Sequence, residues 1–238
     1  MAPSRLAITW LGHGTFLLRS PAGKRLLIDP WLNGNPSCPA VFREPDRLRP
    51  LDLILVTHGH SDHTGDLVQV ARATGAPVVA IFEICKWLEQ KGLTNLMPMN
   101  KGGTERVADI AVTMVDARHS SSMIEGSTFV YLGEPAGYVL RFEDGVTAYF
   151  AGDTSLFGDM RLIAELHHPD LAFLPIGDRF TMGPESAAKA CELLQVKQVV
   201  PMHYGTFPVL TGTPARLREL VEPRGVEVLE LRPGETTE

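Results

Sequence analysis

The segment Thr57-His58-Gly59-His60-Ser61-Asp62-His63 gathers three imidazoles and one carboxylate within a few residues. Clustered imidazoles each need a partner, and a metal ion is the partner that satisfies them together. His58 and His60 are two apart, so on an extended segment both rings point the same way. Asp62 and His63 follow a turn-forming serine and can aim at a second point close to the first. Imidazole and carboxylate donors of this kind suit zinc, with manganese or iron also accommodated. The competing reading is a polar turn of separately hydrogen-bonded histidines.

The segment follows the continuous apolar run Leu53–Val56, which reads as a strand buried on both faces. The carboxyl end of such a strand is where α/β proteins place their ligands. Three more donors occupy the same kind of position: His119 after the strand-like Ile110–Val115, Asp153 after Thr147–Phe150, and His203 after Val199-Val200. Each alone reads as a cap or turn residue. Together with the first four they make seven donors, enough for two ions sharing a carboxylate and a water.

Other groups invite weaker readings. His13 sits in a glycine-flanked turn; it is either a substrate contact or proton donor, or a turn histidine bonded to backbone. Asp29, next to Pro30, either orients a ligand imidazole from behind or is a turn carboxylate. Tyr204 is placed to donate to a developing oxyanion or simply to pack in the core. Asp178-Arg179 reads as a surface ion pair before it reads as an anion contact, and His167-His168 as a helix terminus favouring the dipole.

These donors need a scaffold, and the pattern supplies one. Strand-like runs Leu6–Leu11, Thr15–Arg19 and Arg25–Ile28 are separated by turn residues. After the motif come a helix at Gly65–Thr74, a strand at Val78–Ile81 and a helix at Phe82–Lys91. The second half repeats the theme: strands at Ile110–Val115, Gly137–Arg141 and Thr147–Phe150, a helix at Leu156–Leu166, a strand at Leu171–Pro175, then helices at Pro184–Leu194 and Pro214–Val221 around further strands, the last at Val226–Leu229. Segments 32–50 and 120–136 read as loops that line the site and carry specificity. The alternation favours α/β or α+β over all-α or all-β, and two such halves could pack as a four-layer αββα sandwich with the site between the sheets.

Composition bounds the rest. The 238 residues are 44% hydrophobic and 21% charged, which fits one globular domain spanning 1–238 rather than a disordered chain. A net charge of −6 argues against a broad nucleic-acid footprint. No apolar run approaches a membrane span, and the amino-terminal stretch has too short an apolar core for a signal peptide. Cys38, Cys85 and Cys191 are odd in number and far apart, so a disulfide framework is not expected. A cytoplasmic protein is the default, and a homo-oligomer stays open.

The order and spacing of His58-x-His60-x-Asp62-His63, His119, Gly152-Asp153-Thr154 and His203 resemble the metallo-β-lactamase-fold hydrolase superfamily over nearly the whole chain. Trp10-Leu-Gly-His-Gly-Thr-Phe16, Leu27-Ile-Asp-Pro30, Thr181-Met-Gly-Pro184 and Pro201-Met-His-Tyr-Gly205 are similar to a group of bacterial and archaeal metal-dependent hydrolases near the L-ascorbate phosphate lactonase and N-acyl-phosphatidylethanolamine phospholipase D branches. The resemblance implies the metallo-β-lactamase fold, the αββα sandwich. It implies that His58, His60 and His119 hold one divalent ion, that Asp62, His63 and His203 hold a second, and that Asp153 bridges them. It also implies that Asp62 orients the attacking water and later carries a proton.

The expected activity is hydrolysis of an ester, lactone or phosphodiester in a small molecule. Two dications, two carboxylates and a hydroxide leave the site net positive, so an anionic substrate fits. The alternatives are a nuclease on the same fold, disfavoured by charge and by the lack of a basic inserted arm, and a non-catalytic metal-binding protein, disfavoured by an open rather than closed donor set.

Overall fold

The computed structural model describes residues 5–237; Met1–Ser4, part of the stretch read as lacking a leader, and Glu238 lie outside the described residues. The chain opens with three antiparallel-paired strands, β1 (Ala7–Trp10), β2 (Phe16–Arg19) and β3 (Arg25–Ile28). Two 3₁₀ turns, Ala40–Phe42 and Pro45–Leu48, break the segment 32–50. There follow β4 (Leu53–Leu55), α1 (Ser61–Thr64), α2 (Leu67–Thr74), β5 (Val78–Ile81), α3 (Phe82–Gln90) and β6 (Leu96–Met99). The second half runs β7 (Thr104–Val107), β8 (Ile110–Asp116), β9 (Ser122–Glu125), β10 (Thr128–Tyr131), β11 (Ala136–Arg141), β12 (Thr147–Phe150), α4 (Met160–His167), β13 (Leu171–Pro175), α5 (Pro184–Leu194), β14 (Gln198–Met202), α6 (Pro214–Val221), β15 (Glu227–Val228) and β16 (Thr236–Thr237).

The strands form two seven-stranded sheets, ordered β16-β1-β2-β3-β4-β5-β6 and β15-β14-β13-β12-β11-β8-β7. Helices cover them, giving the four-layer αββα sandwich of the metallo-β-lactamase fold. In each sheet an antiparallel part passes into a parallel part: β3 to β6 in one, β12 to β15 in the other. The parallel strands are the continuous apolar runs. Leu53–Leu55 and Val78–Ile81 are buried at every position, as strands covered on both faces must be.

The sheets meet through aromatic side chains. Phe16 of β2 stands edge-on to Phe150 of β12 at 5.7 Å and to Phe173 of β13 at 5.1 Å, all three fully buried. Removing such a ring costs about 3–5 kcal/mol. The Tyr138 hydroxyl crosses the interface to donate to the Val56 carbonyl at 2.8 Å, just ahead of the histidine motif.

Helix ends follow local chemistry. α2 buries Leu67, Val70 and Ala71 on one face and stops where Gly75 turns left-handed at φ 69°. α5 and α6 start at prolines, and the Thr213 hydroxyl caps α6 by accepting from the Arg216 N–H.

The segment 120–136, expected as a loop, contains the two-stranded hairpin β9–β10. Its large side chains Ile124, Phe129 and Tyr131 point to solvent, so no buried face marks it in the pattern. The helix expected from Leu156 begins at Met160, after Gly158 and Asp159. No helix among the described residues is long and apolar enough to cross a membrane.

Candidate metal centre

The chain leaves β4 extended through His58 and His60 and then closes into α1, where the His60 carbonyl accepts from the N–H groups of His63 and Thr64. Asp62 and His63 therefore sit on a helical turn while His58 and His60 sit on the extended segment. Asp153 and His203 follow β12 and β14 in the facing sheet, and His119 follows β8.

The structure brings all seven expected donors together between the sheets. One donor atom each from His58, His60 and His119 lie within 4.8 Å of one another, and so do those of His13, Asp62, His63 and His203. Asp153 Oδ2 stands between these groups. It is 3.0 Å from His203 Nε2, 3.4 Å from His63 Nε2, 3.7 Å from His119 Nε2 and 3.9 Å from His58 Nε2.

Partners behind the rings fix their orientation. Asp29 accepts from His63 Nδ1 at 2.8 Å and from both the amide and the hydroxyl of Thr57. With its proton given to Asp29, the Thr57 hydroxyl accepts from His58 Nδ1 at 3.0 Å. Ser120 Oγ lies 3.2 Å from His60 Nε2, which leaves Nδ1 facing the centre, 3.1 Å from His58 Nε2. None of these hydroxyl partners was singled out in the sequence. Thr57 is adjacent to the histidine it holds, His58, whereas Ser120 follows His119 in the sequence and serves His60.

His13 is fully buried. Its Nε2 lies 3.0 Å from Asp62 Oδ2 and its Nδ1 2.9 Å from the Thr206 hydroxyl. A substrate-contact or proton-donor role would therefore have to act through Asp62. Tyr204 packs its ring on Trp10 at 5.0 Å, and its hydroxyl makes no hydrogen bond to the site among the described residues. Core packing, rather than an oxyanion contact, is the arrangement seen. Arg179 lies over the Phe180 ring instead of pairing with Asp178, and both Asp178 and Arg179 have left-handed backbones.

The electrostatics call for a cation. Burial opposes charge on His63, yet the Asp153, Asp29 and Asp62 carboxylates outweigh it and raise its pKa well above the usual value. Burial likewise opposes charge on His203, but Asp153 and Asp62 push it up to about 9. Burial, aided by neighbouring imidazoles, holds His58, His60 and His119 below the ordinary range. The carboxylates that favour positive charge on His63 and His203 are those that bound dications would balance. His63 Nε2 and Asp153 Oδ1 are buried without a hydrogen-bond partner. A ring nitrogen and a carboxylate oxygen left without partners in the interior are costly unless a cation meets them. The residues fit divalent metal.

Beside the centre is a cleft of about 320 Å³, lined by His60, Asp62, His119, Ser120, Asp153, Phe180 and His203. Residues 24–204 match the β-lactamase superfamily domain. The chain belongs to the metallo-β-lactamase-fold superfamily of metal-dependent hydrolases. It is 52% identical over 231 residues to a metal-dependent hydrolase of Koribacter versatilis, covering 97% of each chain. It is 48% identical over 235 residues to one of Methanopyrus kandleri, covering 98% of this chain and 100% of the relative. A metallo hydrolase of the archaeon Ignicoccus hospitalis superposes with a TM-score of 0.87 at 37% identity, over 98% of this chain and 97% of that one. Like these relatives, the chain is a metal-dependent hydrolase.

Proposed function

We propose that this hydrolase cleaves an ester, lactone or phosphodiester bond of a small molecule, using two divalent ions held between the sheets. The observation that carries the reading is the position of Asp153 Oδ2, 3.0–3.9 Å from four histidine nitrogens contributed by two separate donor groups. His58, His60 and His119 would hold one ion, Asp62, His63 and His203 the other, and Asp153 would face both. Zinc suits these donors best, and manganese or iron are accommodated. Bound there, the metal ions supply a water acidic enough to ionise near neutral pH and polarise the oxygen of the bond under attack.

The chain's own residues do the rest. Asp62, with 29% of its side chain exposed, is the more exposed of the two carboxylates that line the cleft and can take and return a proton. Asp29 and Thr57 hold the His63 and His58 rings from behind. Phe180 walls the cleft with an apolar surface, and the net positive charge of a loaded centre draws an anionic substrate.

One contiguous hydrophobic core spans both sheets, which supports a single domain over 1–238. Three buried free thiols, Cys38, Cys85 and Cys191, support a reducing, cytoplasmic setting.

The test is metal analysis of the purified protein, followed by a hydrolysis screen over lactones, phosphodiesters and carboxylic esters. About two equivalents of metal and turnover that vanishes on chelation are the expected results. Turnover by metal-free protein overturns the reading.

A further inference from the structure

We propose that His13 is a metal donor, its Nε2 joining Asp62, His63 and His203 on the second ion. The inference rests on the dinuclear reading above and adds a residue that no strand-end motif marks.

The first argument is the shared pattern of the rings. His58 and His63 each give one nitrogen to an oxygen behind them, Thr57 and Asp29 respectively, and turn the other inward, and His60 gives Nε2 to Ser120 at the cleft and turns Nδ1 inward, while His203 Nδ1 has no hydrogen-bond partner. His13 does as His58 and His63 do: Nδ1 meets the Thr206 hydroxyl at 2.9 Å and Nε2 faces the centre. A ring backed in this way has its tautomer and direction set for ligation.

Spacing is the second. Donors held about 2.1 Å from one ion lie roughly 3–4 Å from each other. Asp62 Oδ2 is 3.0 Å from His13 Nε2, 3.8 Å from His203 Nε2 and 4.0 Å from His63 Nε2. Of the three imidazoles, His13 is the closest to the carboxylate the second ion would share.

The third is the backbone. His13 and His203 both adopt left-handed conformations, φ 55° and 56°, and the His203 N–H donates to the His13 carbonyl at 3.1 Å. The Trp10 indole N–H donates to the same carbonyl. Strained residues clamped in this way cluster at sites where position matters. The clamp joins a turn of one sheet to a strand end of the other and sets the two ring centroids 3.8 Å apart. The fully buried His13 ring does not line the cleft, so it has no direct route to substrate.

The two ions then differ. The second has His13, Asp62, His63, His203 and Asp153; the first has His58, His60, His119 and Asp153. Five protein donors exceed a tetrahedral set, so the second position would have the higher coordination number of the two, a geometry manganese or ferrous iron also takes, while the first keeps a set that suits zinc.

The test compares wild type, H13A, H13Q and T206V, each stripped of metal and reloaded with cobalt(II) alone. X-ray absorption counts imidazole ligands, chelator competition gives affinity, and the visible spectrum reports coordination. Six imidazoles across two ions are expected in wild type and five in H13A and H13Q. The weaker variants should lose affinity for one ion by more than about 100-fold, beyond the 10–100-fold typical of a partner behind a ligand, while T206V falls within that range and keeps six. Five imidazoles in wild type, or an H13Q protein with unchanged affinity and spectrum, overturns the proposal and leaves His13 as a hydrogen-bond partner of Asp62. If wild type binds a single ion, the dinuclear reading fails. The His13 proposal is then decided by whether H13Q removes one imidazole from that ion or leaves its spectrum unchanged. The wild-type count stands even if a variant does not fold.

Discussion

Asp29 Oδ2 lies 2.8 Å from His63 Nδ1, and both side chains are completely buried. The carboxylate also accepts hydrogen bonds from the amide and hydroxyl of Thr57, so one group fixes two neighbouring rings, His63 directly and His58 through Thr57. Its left-handed backbone, φ 49°, is a conformation that Asn tolerates as Asp does. Asp29→Asn should keep the fold but lower metal affinity by about 10–100-fold, since a neutral oxygen makes the His63 ring a poorer donor. Asp29→Ala should also lower stability by about 1–3 kcal/mol for each Thr57 donor left bare. Chelator competition and urea unfolding separate the two effects; equal affinities in wild type and Asp29→Asn would remove the orienting role.

Two glycines make room for the centre by different means. A Cβ on Gly14 would lie 2.6 Å from His63 Cε1, so Gly14→Ala should push the ring aside and reduce metal binding while leaving circular dichroism unchanged. A Cβ on Gly177 would lie 2.0 Å from the His203 carbonyl oxygen, which belongs to a backbone that cannot yield. Gly177→Ala should therefore lower the melting temperature of metal-free protein, where Gly14→Ala should not. The reverse ranking would contradict both contacts.

Much of this arrangement was legible from residue type and position. Arg25–Ile28, Val78–Ile81, Thr147–Phe150 and Leu171–Pro175 occupy the strands their apolar runs predict, because burial on both faces leaves a continuous signal. Pro184–Leu194 and Pro214–Val221 are helices that announce themselves by proline at the first turn. The hairpin Ser122–Tyr131 was not legible, since its large apolar side chains are exposed and obey no inward pattern. Leu96–Met99 gives no clear strand signal, since it contains Pro98, which the chain tolerates by placing β6 at the sheet edge. Within the site, histidines and aspartates at strand ends declare themselves by type. Thr206 and Ser120 do not, because a hydroxyl gains its role only from the ring that packing brings to it.

Metal removal should cost stability as well as activity. Ions that bind only the folded chain add about 2.7 kcal/mol when free metal is at 100 times the dissociation constant. Chelation should lower the melting temperature and readdition should restore it. In His58→Ala and Asp62→Ala, each short of one inward-facing donor, the shift between loaded and stripped protein should shrink and turnover should be lost. Full metal retention with full turnover in both variants would sink the donor assignment.

Asp153 gives the most demanding test, because it sits where both donor groups converge. It is 3% exposed, and four imidazole nitrogens surround one of its oxygens while the other has no hydrogen-bond partner. Burial alone would raise its pKa, but the His203 and His63 charges hold it well below the usual carboxylate range, so it is an anion in the folded protein. Asp153→Asn preserves shape and removes that charge. Two dications facing each other without it repel at close range, and one amide oxygen cannot serve both. Asp153→Asn should therefore bind about one equivalent of metal where wild type binds two, and Asp153→Ala should bind less tightly still. Stepwise chelator titration followed by elemental analysis reads the difference, with the melting temperature of metal-free protein as the control for folding. Two equivalents retained by a folded Asp153→Ala protein would mean that the ions do not depend on Asp153, and the bridging role would fall.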